Sequence, residues 1–198
     1  AEQHAANEIV AVPVMTMKLI EAARKRGFDA ISLHTVFNSG GVNPPTIWDE
    51  IDAVLKPRET VTAYGMTETT ASTTCTLPED GRHRLLTSNG GLKLAGVAGD
   101  PEIGGRVADY KAIDPQTGAD LAPGEEGELV TRGPIVTAGY FDKPEETAAA
   151  FTSDGWLHTG DLGQINADGY LVLTGRIKET YRCNGEMVMP KEIEDLFS

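Results

Sequence analysis

Tyr64-Gly65-Met66-Thr67-Glu68 sets a hydroxyl and a carboxylate side by side just after an apolar run. Val61-Thr62-Ala63-Tyr64 reads as a strand end that breaks into a turn at Gly65. Sheets of α/β proteins place ligands at such breaks, because backbone without a side chain can approach a phosphate closely. The Thr67 hydroxyl can bind a phosphoryl oxygen, and Glu68 can hold the magnesium that accompanies it. The plain alternative is a Thr-rich turn with a solvated Glu. Gly40-Gly41 follows a second strand and could lie flat against a planar ligand, or simply turn the chain. In Gly155-Trp156-Leu157-His158-Thr159-Gly160-Asp161, an Asp placed after a Gly turn can accept hydrogen bonds from two ribose hydroxyls. It can equally be a turn-forming Asp. Arg176, in Gly175-Arg176-Ile177-Lys178, could reach the same ribose or stand as an exposed strand-end charge. His158 lies between Leu157 and Thr159 with no nucleophile or metal ligand nearby in sequence, and reads as structural. His4, His34 and His83 suggest no site.

The elements that must carry these residues follow from period and punctuation. Ile9 to Val14 is a short apolar run, consistent with a strand buried on both faces. Thr16 can cap the next helix, whose apolar stripe is Leu19, Ile20 and Ala23; Arg24-Lys25-Arg26 suits its last turn and Gly27 ends it. A strand over Thr35 to Asn38 leads into Ser39-Gly40-Gly41, and a helix follows with Ile47, Trp48, Ile51, Val54 and Leu55 on one face. Pro57 stops that helix before the strand into Tyr64. Strand-helix-strand-helix-strand at this spacing predicts a parallel sheet with crossover helices. Residues 76–106 show no period and read as a long loop or insertion. From Val107 the pattern turns to short strands, at VADYKAI and ELVTR, with turns at 114–118 and 123–127. Pro144-Glu145-Glu146 opens a short helix that ends near Phe151. Strands around Gly163–Asn166 and Tyr170–Thr174 are joined by Ala167-Asp168-Gly169. The fold class expected is α/β plus β: the end of a layered αβ subdomain with a parallel sheet, then a distorted antiparallel β-barrel subdomain.

The 198 residues carry a formal net charge of -13, which argues against nucleic acid or an anionic membrane as a bulk electrostatic partner. Cys75 and Cys183 lie far apart and form no metal-ligand spacing, which suits a reducing compartment and so a cytoplasmic protein. No apolar run reaches membrane-spanning length. The chain lacks an initiator Met and stops at Leu196-Phe197-Ser198 inside what reads as a young helix, so a piece of a longer enzyme is expected.

YGMTE, the GWLHTGD run, and TGRIKE leading through NGE to MPKEIED, in that order, resemble the adenylate-forming acyl-coenzyme A synthetases. Relatives of that superfamily include luciferases and nonribosomal peptide adenylation domains. Ser39-Gly40-Gly41 and GYFDKPEETAAAF fit the same family, and the resemblance covers nearly the whole chain, weakest across 76–106. The resemblance implies that Gly40 and Gly41 line the adenine and acyl pocket. It puts Tyr64 near the adenine, with Gly65 and Met66 in the same nucleotide-binding loop, and gives Thr67 the α-phosphate. Glu68 would hold magnesium, Asp161 and Arg176 the ribose. Lys178 would be the hinge between large and small domains, and Asn184 and Gly185 would belong to the coenzyme A loop. ATP, Mg2+ and coenzyme A are the implied cofactors and cosubstrates, and a small-molecule carboxylate, as in fatty acid metabolism, the implied partner. Val-Asn-Pro-Pro after the Gly pair, and Tyr181-Arg182-Cys183, depart from the family pattern and bear on the acyl pocket and the small domain. The family's upstream phosphate loop and downstream catalytic lysine are not among these residues. The organisation expected is 1–75 α/β, 76–106 loop or insertion, 107–178 barrel, and 179–198 the start of a small domain. The alternatives are an amino-acid adenylation domain that loads a carrier protein, and a non-catalytic nucleotide-binding fragment.

Overall fold

The computed structural model describes residues 6–27, 33–41, 43–179, 181–183, 186–188 and 190. The chain divides into two compact units that interleave: residues 1–64 with 75–90, and residues 65–74 with 91–197.

In the first unit, β1 (Glu8–Ala11), β2 (Thr35–Asn38) and β3 (Glu59–Val61) form a parallel sheet in that order. Ile9 lies opposite Val36, and Val36 opposite Thr60. The expected crossover helices are α1 (Pro13–Arg26) and α2 (Ile47–Glu50), the latter prolonged by a π-helical turn over Ile51–Leu55. Ile20, Ala23, Leu33, Val36, Ile47, Trp48, Ile51 and Leu55 make one buried cluster. Burying each large aliphatic among them contributes about 1.5–3 kcal/mol, which is why the helix stripes face the sheet.

Two local expectations are corrected here. The strand does not run to Val14: it stops at Ala11, since Pro13 has no N–H for a ladder and its fixed φ suits the first turn of a helix. Thr16 does not cap α1, because Val12 holds that position. Thr16 is instead buried within the helix and donates to Asn38 Oδ1 at 2.7 Å. Gly27 does end α1, in the left-handed region with its N–H on Ala23 O.

Residues 76–106 are not a plain loop. β4 (Thr74–Cys75) precedes them, α3 (Gly81–Thr87) and β5 (Gly91–Leu92) lie within them, and single 3₁₀ turns occur at Pro78–Asp80, Gly96–Ala98 and Pro101–Ile103. The helix α3 lacks an apolar stripe: Leu85 packs on the buried cluster, while Leu86 is half exposed. Charge holds it, with Arg82 bonded to both Asp49 and Asp52. A helix tied by charge leaves no hydrophobic period to read.

In the second unit, β6 (Asp109–Ile113), β7 (Gly127–Arg132), β8 (Leu157–Ile165) and β9 (Leu171–Arg176) form an antiparallel meander in that order. This antiparallel sheet stands where the distorted barrel subdomain was expected, with no pairing of β9 to β6 among the described residues. Ile113, Val130 and Trp156 form its buried cluster. The Trp156 ring is flanked by Lys111 Nζ at 4.8 Å and the Arg132 guanidinium at 4.5 Å from its centroid. Between β7 and β8 lies α4 (Pro144–Ala150), begun by Pro144 with Glu145 and Glu146 in its first turn. After β9, β10 (Tyr181–Cys183) and β11 (Glu186–Val188) pair with each other as a separate antiparallel ribbon.

Candidate functional site

The turn at 65–70 is built from its glycine outward. A side chain at Gly65 would put its Cβ 2.2 Å from the Ala71 carbonyl oxygen, so only glycine fits. The close approach expected for a phosphate is made by the chain itself, and Gly65 bridges to Ser72. Thr67–Thr69 is a single 3₁₀ turn fastened by the buried Thr69. Its Oγ1 accepts the Met66 N–H at 3.1 Å, and its one proton is shared between the Met66 and Ala71 carbonyls, each at 3.0 Å. Sequence reasoning missed this fastener; the available signal was a hydroxyl three residues after the start of the turn. With the turn satisfied from within, the exposed Thr67 hydroxyl makes no hydrogen bond to a described residue. Glu68 accepts Thr137 N–H on its backbone oxygen at 2.7 Å and the Tyr140 hydroxyl on Oε1 at 2.9 Å. Among the described residues Oε2 has no partner. The hydrogen bond to Glu68, then burial and the Glu68 charge, raise the Tyr140 phenol above its ordinary pKa.

Asp161 owes its place to a bulge. Between the pairs Glu128–Leu162 and Val130–His158, two residue steps on β7 face four on β8. Gly160 takes up the excess with φ of 71°, a conformation natural to glycine. Thr159 pins the bulge: its hydroxyl donates to Leu129 O at 2.7 Å and accepts the Asp161 N–H at 3.1 Å. The bulge turns Asp161 inward, to 4% exposure, where Arg176 Nε donates to Oδ1 at 2.7 Å. The two residues are direct partners across β8 and β9. Asp161 and Arg176 are thus brought together, and Thr67 and Glu68 share one turn. Near the bulge, His158 Nδ1 lies 3.1 Å from Glu128 Oε2, a buried carboxylate.

In the first unit, Gly40 and Gly41 follow β2 at the carboxyl end of the parallel strands. Their missing side chains make room for α1: a Cβ would meet Val12 Cγ1 at 3.3 Å and Pro13 Cδ at 3.2 Å respectively. Ser39 Oγ donates to Ala63 O at 2.7 Å, tying the Gly loop to the stretch that ends in the buried Tyr64. This is the strand end at which open α/β sheets bind ligands. In the second unit, Lys178 sits in the 3₁₀ turn Ile177–Glu179 directly after β9. Asn184 and Gly185 lie outside the described residues.

A family model described as AMP-binding enzyme matches residues 1–141. The chain belongs to this family. It is 31% identical over 197 residues to 3-[(3aS,4S,7aS)-7a-methyl-1,5-dioxo-octahydro-1H-inden-4-yl]propanoyl:CoA ligase of Mycobacterium tuberculosis, covering 100% of this chain and 34% of the relative. It is 36% identical over 183 residues to aspulvinone E synthetase melA of Aspergillus terreus, covering 87% of this chain and 18% of that protein. Among solved structures, o-succinylbenzoate coenzyme A synthetase from Bacillus subtilis, in complex with ATP and magnesium ion, superposes with a TM-score of 0.78 at 26% identity. That match covers 99% of this chain and 37% of the other. The chain therefore spans about a third of the length of the CoA ligases it matches. The resemblance to adenylate-forming enzymes read from the motifs holds over the whole chain, and no helix among the described residues is long and apolar enough to cross a membrane.

The magnesium implied by the resemblance can be tested against the residues present. Magnesium carried by a nucleotide takes one or two protein carboxylates and leaves the rest of its shell to phosphates and water. Glu68 has one carboxylate oxygen bonded to Tyr140 and one without a partner among the described residues, where no group of three His, Cys, Asp or Glu gathers. That donor set fits a nucleotide-borne magnesium rather than a metal caged by protein.

Proposed function

We propose that the chain is part of an ATP-dependent acyl-CoA synthetase, with Thr67 on the α-phosphate and Glu68 toward magnesium. The observation that carries this reading is the 65–70 turn. It is fastened from within by Thr69, so that the Thr67 hydroxyl and Glu68 Oε2, on successive residues of one turn, have no partners among the described residues. The CoA ligases that match along the full chain support it. Asp161, backed by Arg176, would accept the ribose hydroxyls; Gly40, Gly41, Tyr64, Gly65 and Met66 would contribute to the adenine and acyl pocket.

In the reaction, a carboxylate oxygen of the substrate attacks the α-phosphorus of ATP and the bond to pyrophosphate breaks. The coenzyme A thiolate then attacks the acyl carbonyl and AMP leaves. Magnesium, when bound, neutralises phosphate charge. Thr67 orients the α-phosphate oxygens, and Glu68 fixes where the neutralised phosphates sit. Catalysis of this kind rests on positioning and charge. Lys178, in the turn after β9, would be the hinge that absorbs backbone rotation between the two steps. Asn184 and Gly185 would enter with the coenzyme A loop.

A second reading is an amino-acid adenylation domain that loads a carrier protein, beside the 36% identity to aspulvinone E synthetase melA. The test is to follow pyrophosphate release and thioester formation separately in the full-length protein, with ATP, magnesium, coenzyme A and a panel of carboxylates. Thioester formation is expected; release without thioester would move the assignment to the second reading. In the same protein, Asp161→Ala is expected to lose about 2–3 kcal/mol of AMP affinity by calorimetry, the order of a charged hydrogen bond less its replacement by water. Unchanged affinity would return Asp161 to a purely structural part in the bulge.

A further inference from the structure

Tyr140 lies in the GYFDKPEETAAAF stretch but is given no role at the site by the motifs, yet its hydroxyl is bonded to the Glu68 carboxylate. Apolar burial does not hold it there: Tyr140 is 43% exposed and its neighbour Phe141 98% exposed. Polar bonds at both ends of its segment do. Toward the 67–70 turn, Thr70 Oγ1 donates to Ile135 O at 3.1 Å and Thr137 N–H donates to Glu68 O at 2.7 Å. Toward α4, the Tyr140 N–H donates to Thr147 Oγ1 at 2.9 Å, and its carbonyl accepts the Lys143 N–H at 3.2 Å. The backbone that carries the phenol is therefore fixed against both the turn and α4. From that position the hydroxyl donates to Glu68 Oε1 at 2.9 Å.

We infer that Tyr140 is a positioning residue for Glu68: its hydroxyl holds the carboxylate in one orientation, with Oε1 engaged and Oε2 free to meet the magnesium of a bound nucleotide. A free Glu side chain would lose rotamer freedom on meeting the metal, whereas one already bonded has lost it beforehand. The inference rests on the reading of Glu68 given above and adds to it the residue that prepares the carboxylate.

The test uses full-length protein, Mn2+ as the probe and a non-hydrolysable ATP analogue, with free Mn2+ followed by electron paramagnetic resonance. Tyr140→Phe keeps the ring and removes the hydroxyl. It is expected to weaken Mn2+ binding in the ternary complex by about three- to tenfold, below the full worth of a charged hydrogen bond because water replaces the lost donor. AMP binding without metal should stay at the wild-type value. Glu68→Gln should weaken Mn2+ binding further, and adding Tyr140→Phe to it should change nothing more. If Glu68→Gln weakens the metal and Tyr140→Phe does not, Tyr140 is only a surface tyrosine; this inference falls and the reading of Glu68 stands. If Glu68→Gln has no effect, that reading falls and the inference with it. Equal loss of metal-free AMP binding in Tyr140→Phe would mean a general disturbance of the turn, and would also overturn the inference.

Discussion

Asp161 and Arg176 share one ion pair unequally: the Asp side chain is 5% exposed and the Arg side chain 60%. Removing Arg176 takes an ion-pair partner from a buried carboxylate, a costlier loss than taking Asp161 from an exposed guanidinium. The Asp161 charge also reaches Tyr110. Burial, first of all, raises the Tyr110 phenol above its ordinary pKa; bonds to Thr73 and Thr131 pull it down, and Asp161 adds to the rise. A phenol whose folded value is raised keeps its proton in the fold at pH values where the unfolded chain has begun to lose it. Its contribution to stability is thus whole below about pH 10 and is lost as pH rises through the folded value. Denaturant unfolding of the full-length protein is expected to show a fall in stability starting near that pH. Tyr110→Phe should reduce the fall, while costing about 1 kcal/mol at neutral pH because the buried Thr73 hydroxyl loses this partner. An alkaline limb identical in both proteins would assign it to other groups.

The bulge in β8 is where an element decides a site. Two extra residues on one strand turn Asp161 inward, and Gly160 alone takes the left-handed backbone that this needs. Nothing lies within 4 Å of a Cβ built there, so the cost of a side chain is conformational rather than steric. Gly160→Ala is expected to lower stability by about 1–2 kcal/mol, the strain of a left-handed alanine. AMP affinity should fall with it, as Asp161 shifts. Thermal unfolding and AMP calorimetry on the full-length variant check both. A variant as stable as wild type with unchanged affinity would mean the bulge relaxes without moving Asp161. The helix α3 shows the opposite use of an element: Arg82, bonded to Asp49 and Asp52, holds in place a segment with little apolar surface to bury.

At the scale of the molecule, the chain returns twice to units it has already left, with 75–90 joining 1–64 and 91–197 joining 65–74. The motif Tyr64–Glu68 falls where one unit gives way to the other: Tyr64 ends a stretch of the first and Gly65 opens the second. The candidate binding residues are correspondingly distributed, Gly40, Gly41 and Tyr64 in the first unit and Thr67, Glu68, Asp161 and Arg176 in the second. The chain spans about a third of the CoA ligases it matches, and the motif resemblance implies that a phosphate loop and a catalytic lysine of the whole enzyme are supplied by other residues. Expressed alone, these residues are expected to show no carboxylate-dependent exchange of pyrophosphate into ATP. Robust exchange by material free of host synthetases would show that the missing groups are not needed.

The amino-acid order by itself determined the parallel strands and crossover helices of the first unit, the stop at Gly27, the start of α4 at Pro144, and the family. Each of these is written in a few neighbouring residues or in motifs whose order survives any folding. Tertiary structure decided the rest. Tyr140 meets Glu68 across 72 positions, and Asp161 meets Arg176 only because β8 and β9 pair in one register. Thr16, which locally looks like a cap, became a buried partner of Asn38 once Pro13 had started the helix early. Strand patterning specifies which faces of the second unit's sheet are buried; the order β6-β7-β8-β9 came from which strands pair. Local propensity acts within a turn or two of chain, while register, bulges and long-range hydrogen bonds depend on which loops close and what packs beneath them.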